Sequence, residues 1–256
     1  LEQAGCSVAR HTLFPENNFE VAENMLERLT PETDMLFLCN PNNPTGRLIN
    51  GGLLEKILHR AHENRILTVV DECFLSFTRA GVSAKRYLYQ TPGLVVLKAL
   101  TKTYALAGLR LGYMLASDSA LLKKTADAGQ CWSVSVPAQI AGTAALARGE
   151  LAETAQPRPG SFMEETRRLV ETERPFLTES LTALGVTVFP GEANFLLLKS
   201  EKPLYEPLLA KGILIRRCEN FEGLDGTYYR ICVKTRRENM KLITEMLPIF
   251  NIPLPG

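Results

Sequence analysis

Histidine is scarce in this chain: His11, His59 and His62 are the only three among 256 residues. Two of them, His59 and His62, fall on a predicted amphipathic helix from about Asn50 to Asn64, so a histidine-based hydrolytic triad or metal cluster has little to work with. The six cysteines, Cys6, Cys39, Cys73, Cys131, Cys218 and Cys232, stand singly with no C-x-x-C pair. That spacing argues against both a zinc cluster and a disulfide framework, and it fits a reduced, cytoplasmic compartment. Excess charge is missing as well: 29 basic against 28 acidic residues leave +1, no global attraction for nucleic acid or an anionic membrane. No apolar run approaches the roughly 18 residues needed to cross a bilayer. The opening Leu1-Glu2-Gln3 reads neither as a signal peptide nor as a methionine-initiated start, so an internal fragment of a longer protein is expected.

What is present is an ordinary globular composition, 45% hydrophobic and 22% charged, long enough for one large domain or two unequal ones. Short apolar runs alternate with helical stretches: 35–39, the helix after Asn50, then 66–70, 94–97 and 109–115. This rhythm predicts an α/β fold with a mainly parallel sheet sandwiched by helices. Ligands of such sheets gather at the carboxyl ends of the strands, so the residues just after each run are the ones to inspect: Asn40 to Gly46, Asp71-Glu72 and Thr101-Lys102. After Pro137 the texture changes to an Ala-rich helix reaching about Arg148, a Pro/Gly interruption at 157–160, and a charged helix capped by Ser161 with Glu164. Beyond Gly185 come short strands, 186–189, 195–198, 213–215 and 228–233, and a last helix opened by the capping-box pair Thr235 and Glu238. The expected division is a large domain over 1–148 and a smaller α+β domain with its connecting helix over 149–256.

Singly, the polar segments are weak signals. Asn40-Pro41-Asn42-Asn43-Pro44-Thr45-Gly46 is by itself a turn, Asp71-Glu72 an acidic strand end, and Lys102 a surface lysine. Together and in this order, N-P-x-N-P-T-G, D-E, T-K and G-x-R-x-G-Y (Gly108 to Tyr113) resemble the fold-type I pyridoxal-phosphate enzymes of the aminotransferase superfamily, and the resemblance runs along essentially the whole chain. It implies pyridoxal 5'-phosphate as cofactor, with Lys102 joined to it covalently and moving protons at Cα, and Asp71 holding the ring nitrogen protonated. It further implies Asn43 at the ring phenolate, and Arg110 with Thr101 at the phosphate, where a planar guanidinium suits a bidentate contact. Ala99 departs from the family's usual Ser or Thr, which removes one phosphate contact. The family also implies roughly another hundred residues ahead of Leu1, including the Gly-rich turn that cradles the phosphate on a helix N-terminus.

Two groups within that superfamily are the most similar, the threonine-phosphate decarboxylases of cobalamin biosynthesis and the histidinol-phosphate aminotransferases. Three features favour the decarboxylases: Phe74 where the aminotransferases usually have Tyr, the Cys131-Trp132-Ser133-Val134 segment in place of a proline-rich one, and the stretch from Ile213 to Arg230. Arg216 and Arg230 in that stretch match arginines used for substrate anions, whereas Arg217, Lys234, Arg236 and Arg237 read as solvated surface charges. The expected function is therefore decarboxylation of a phosphorylated amino acid, L-threonine O-3-phosphate, to (R)-1-aminopropan-2-yl phosphate. Amino transfer from histidinol phosphate to 2-oxoglutarate is the alternative, and a non-catalytic module of the same fold a third. By the same resemblance the protein works as a homodimer.

Overall fold

A computed structural model describes residues 2–147 and 160–253. In the N-terminal half the elements are Met35–Cys39 (β1), Gly51–Glu63 (α1), Leu67–Asp71 (β2), Leu94–Ala99 (β3), the single turn Leu100–Thr103 (α2), Gly112–Ala116 (β4), Ser119–Ala128 (α3) and Val136–Ala147 (α4). The C-terminal half comprises Phe162–Ala183 (α5), Thr187–Val188 (β5), Phe195–Lys199 (β6), Tyr205–Ala210 (α6), Arg216–Arg217 (β7), Tyr228–Cys232 (β8) and Arg236–Met246 (α7). None of the described helices is long and apolar enough to cross a membrane.

Helix α1 forms where its sequence directs. The Asn50 side chain accepts from the amides of Gly52 at 2.9 Å and Leu53 at 3.3 Å, satisfying two donors that the first turn leaves open. Leu53, Leu54, Ile57, Leu58 and Ala61 then recur at helical spacing and are buried against the sheet with Leu36, Ile66, Val70, Leu94 and Val96. Each fully buried leucine contributes about 1.5–3 kcal/mol relative to exposure, so this face alone holds the helix in place.

The first sheet has the order β1-β2-β3-β4. Strands β1, β2 and β3 run parallel, with Cys39 beside Asp71 and Asp71 beside Leu97, so their carboxyl ends lie along one rim. The edge strand β4 is antiparallel to β3 and begins at Gly112, later than the apolar run from Leu109 suggests. The reason is local: Ala107–Leu109 make a 3-10 turn and Arg110 takes a left-handed φ of 54°, so neither can be extended strand. Gly112 is needed where the strands meet, because a Cβ there would lie 2.8 Å from the Lys98 carbonyl.

The second sheet, β5-β6-β8-β7, is antiparallel throughout. One face packs on α5, α6 and α7 through Leu177, Leu181, Leu196, Leu198, Leu208 and Leu242. The other carries a smaller aromatic cluster in which Phe19, from the start of the chain, meets Phe189 at 5.0 Å and Tyr228 at 6.4 Å between ring centroids. The early chain thus packs onto a sheet built from residues beyond 185. Residues 213–215 are not strand; Ile213 N–H donates to Leu208 O at 2.9 Å to close α6, and ladder pairing begins only at Arg216. The caps are as expected: Ser161 Oγ accepts from Glu164 N at 3.2 Å, and Thr235 with Glu238 forms the capping box of α7. The boundary expected at 148/149 and most of the Pro/Gly interruption lie outside the described residues.

Candidate active site

The parallel rim gathers the polar segments. After β1 the chain enters the turn 40–49, whose two X-Pro bonds, Asn40-Pro41 and Asn43-Pro44, are cis. The buried Asn40 pins this turn from the sheet side, its Oδ1 accepting from Ile49 N at 2.9 Å. Thr45 Oγ1 accepts from Asn42 Nδ2 at 2.9 Å, and Gly46, at φ +77°, reverses the chain as few residues with a Cβ do. At the end of β2, Asp71 Oδ1 accepts from Cys73 N at 2.9 Å, a local bond that fixes the carboxylate at the strand's exit. The next residue, Glu72, points to the opposite side as strand alternation requires. There its carboxylate is fully buried, receiving Lys98 Nζ and Ser83 Oγ at 2.7 Å each and Ala84 N at 2.6 Å.

Lys102 lies in α2, directly after β3, exposed, and its Nζ donates to the buried Thr101 Oγ1 at 3.2 Å. The same amine lies 5.8 Å from the Phe74 ring centroid. The charges of Asp71 and Lys102 act on one sulfur. The Cys73 thiol is pushed up to about 12 by burial first and then by Asp71, with Lys102 pulling the other way. Cys39, across the rim, is raised to about 11, again by burial and then by the Asp71 charge.

From Phe74 the contacts cross to the second sheet. Its ring meets Phe195 edge-on at 5.0 Å, and Arg230 lies 4.9 Å over the Phe195 ring. Arg230 Nη1 donates to Asn43 Oδ1, returning to the turn after β1. Arg216 stands directly opposite Arg230 in the β7–β8 ladder, so the two side chains leave the sheet on one face. Burial lowers the pKa of the Arg230 guanidinium from its ordinary value, and the Arg216 charge adds to the effect. Arg216 donates to Asn220 Oδ1 at 2.9 Å. Among the described residues neither arginine joins an ion pair; each bonds a neutral amide.

Six of the expected positions, Asn43, Asp71, Thr101, Lys102, Arg216 and Arg230, are thus linked through direct contacts or shared neighbours. Arg110 is exposed and its contact is local, Nη1 to Ala107 O at 3.1 Å. Cys73, Phe195 and Glu192 were not singled out by the sequence. Nothing in Pro190-Gly191-Glu192 beyond a turn signal marks Glu192, and Phe195 reads simply as core. One expectation needs correction: Arg236 is not merely a solvated charge. Its guanidinium lies 3.7 Å from the Phe176 ring centroid, and Nε reaches both oxygens of the buried Glu173 at 3.0 Å. Trp132, in the segment thought diagnostic, is 96% exposed at a φ of +61° and forms no part of the core.

An amine, a carboxylate, an amide, a hydroxyl and guanidinium groups around a strand-end rim make up a donor set that fits pyridoxal 5'-phosphate, an aromatic aldehyde with a basic ring nitrogen, a phenolate and a phosphate. Comparison with known proteins agrees. The family model "aminotransferase class I and II" matches residues 1–247, and the chain belongs to that family of pyridoxal-phosphate-dependent enzymes. The chain is 36% identical over 250 residues to a threonine-phosphate decarboxylase of Salmonella typhimurium, covering 96% of this chain and 66% of that protein. It is 31% identical over 251 residues to histidinol-phosphate aminotransferase 2 of Carboxydothermus hydrogenoformans, covering 96% and 65%. Among solved structures, the histidinol-phosphate aminotransferase from Clostridium acetobutylicum superposes with a TM-score of 0.84 at 27% identity, over 98% of this chain and 73% of that one. The chain therefore spans about two thirds of the length of these curated relatives.

Proposed function

We propose that this protein carries out the decarboxylation of L-threonine O-3-phosphate with pyridoxal 5'-phosphate, yielding (R)-1-aminopropan-2-yl phosphate and CO2. The observation that carries this reading is the Arg216–Arg230 pair, two arginines opposite each other in one ladder and on one face, each bonded, among the described residues, to a neutral amide, that of Asn220 or Asn43. Such a pair is an anion receptor waiting for two negative groups. O-phosphothreonine offers a carboxylate and a phosphate, whereas of the alternative's two substrates histidinol phosphate offers a phosphate alone and 2-oxoglutarate two carboxylates.

When bound, the cofactor supplies a ring that accepts the electron pair released as a bond to Cα breaks. The chain's own groups do the rest. Lys102 would hold the cofactor and afterwards deliver a proton to Cα, in place of the carboxylate lost as CO2. Asp71 would keep a proton on the ring nitrogen, Asn43 would donate to the phenolate, and Thr101 and Arg110 would bind the phosphate. Arg216 and Arg230 would fix both substrate anions, so that the Cα–carboxylate bond stands where its electrons can leave. A homodimer in the cytoplasm is the setting in which we place this chemistry.

The experiment is a single-turnover reaction of cofactor-loaded protein with carboxyl-labelled O-phosphothreonine and no keto acid. Labelled CO2 is the expected product, and Lys102→Ala should abolish both it and the visible absorbance of the cofactor–lysine linkage. Amino exchange between histidinol phosphate and 2-oxoglutarate without CO2 would replace this reading by the second, which the superposition on the Clostridium acetobutylicum enzyme favours. Absence of any cofactor absorbance would point to a non-catalytic module.

A further inference from the structure

Glu192 lies in the segment between β5 and β6 and reaches back to the turn after β1. One carboxylate oxygen accepts from Arg47 Nη1 at 3.1 Å and the other from Leu48 N at 2.9 Å. Its own N–H donates to Gly46 O at 2.8 Å. One residue thus bonds three successive residues of the turn. The backbones touch here, since a Cβ on Gly191 would lie 2.9 Å from Thr45 O and 3.3 Å from Gly46 Cα. Arg47 is 16% exposed and Glu192 28%, so this is no freely solvated surface pair. Arg47 also pairs with Glu20, and Arg174 of α5 donates to Ala193 O at 3.3 Å beside it.

A simple joint between the two sheets would explain these bonds, but two further placements ask for more. The clamped turn carries Asn43, which accepts from Arg230. Glu192 also directly precedes Ala193-Asn194-Phe195, and the Phe195 ring lies beneath the Arg230 guanidinium. Both supports of Arg230, the amide and the aromatic ring, are therefore tied together through one residue, by its carboxylate and its backbone N–H. We infer that Glu192 is a positioning residue: by locking the Asn43 turn to the strand that carries Phe195, it sets Arg230 for the substrate's anion while touching neither substrate nor cofactor. The inference rests on the reading of Arg230 as a substrate anchor, and deepens it.

Two variants separate the contributions. Glu192→Gln keeps an acceptor for Leu48 N–H and loses the charge facing Arg47; Glu192→Ala loses both. By amide hydrogen exchange on the whole chain, Leu48 and Glu192 should exchange about ten-fold faster in Glu192→Ala, with Val70 and Val96 unchanged and Glu192→Gln intermediate. In steady-state kinetics with O-phosphothreonine, KM should rise about ten-fold in Glu192→Ala and less in Glu192→Gln, with kcat held within about two-fold. Should O-phosphothreonine not be turned over, the proposed reaction fails, and histidinol phosphate with 2-oxoglutarate supplies the same KM comparison. If Glu192→Ala does not fold, Glu192→Gln carries both measurements against wild type. Unchanged exchange, faster exchange with unchanged KM, or a fall in kcat at constant KM each overturns the positioning role, and turnover of neither substrate overturns it together with the proposed function.

Discussion

Arg230 of β8 and Asn43 of the turn after β1, 187 residues apart, are joined by a hydrogen bond between their side chains. A residue of the second sheet thus depends for its orientation on a turn that leaves the first. Because Asn43 is neutral, the positive charge of Arg230 stays available to a ligand.

Arg230→Lys keeps the charge but loses the planar fork that can bond an amide and an anion together. We expect substrate affinity to fall by about 2 kcal/mol, roughly thirty-fold in KM. Equal KM values for wild type and Arg230→Lys would remove Arg230 from the substrate site.

The Glu72–Lys98 pair makes a stability prediction. Both side chains are buried, and the carboxylate also receives Ser83 Oγ and Ala84 N. Removing one partner strands the other charge, so Glu72→Ala should cost about 3–5 kcal/mol in a denaturant titration. The double variant Glu72→Leu/Lys98→Met should be markedly less harmful, since no unpaired charge remains.

How far these contacts were legible in the sequence differs by range. The helix following Asn50, the Thr235–Glu238 capping box and the strand runs 35–39 and 94–97 follow from local chemistry and periodicity, and they stand where expected. The start of β4 was hidden because Arg110 adopts a left-handed conformation that no side-chain pattern announces. Arg236 on Phe176 and Glu192 on the Asn43 turn were hidden for another reason: each pairs residues far apart in the chain, and such pairing leaves no period to read.

Thiol reactivity offers a chemical readout of the rim. Burial and Asp71 raise Cys73 to about 12 and Cys39 to about 11, so at pH 8 only about one thiol in ten thousand and one in a thousand, respectively, is thiolate. Alkylation followed by peptide mapping should label the exposed Cys6 and Cys131 well before either. Asp71→Asn removes one of the causes of elevation and should speed Cys73 labelling; unchanged labelling would separate the two residues.

Acid should loosen α7 through its cap. The Glu238 carboxyl is held down to about 2, first by the Thr235 hydroxyl and then by Lys234. A carboxyl depressed in the folded protein contributes stability that is full above its unfolded value near 4.5 and is lost as pH falls toward 2. The side chain is 42% exposed, so the contribution is screened and modest. Stability measured across that interval should fall less steeply in Glu238→Gln than in wild type, and Thr235→Ala should cost about 0.5–2 kcal/mol at neutral pH.

The common direction of β1, β2 and β3 has a consequence for how such a molecule can change over time. Their interiors bear the load while their far ends hold the reactive groups, so replacements there, outside the buried Glu72–Lys98 pair, can redirect chemistry without weakening the frame. Folding and selectivity are in that sense two separate ledgers written along the same three strands, and a lineage can revise one while leaving the other intact.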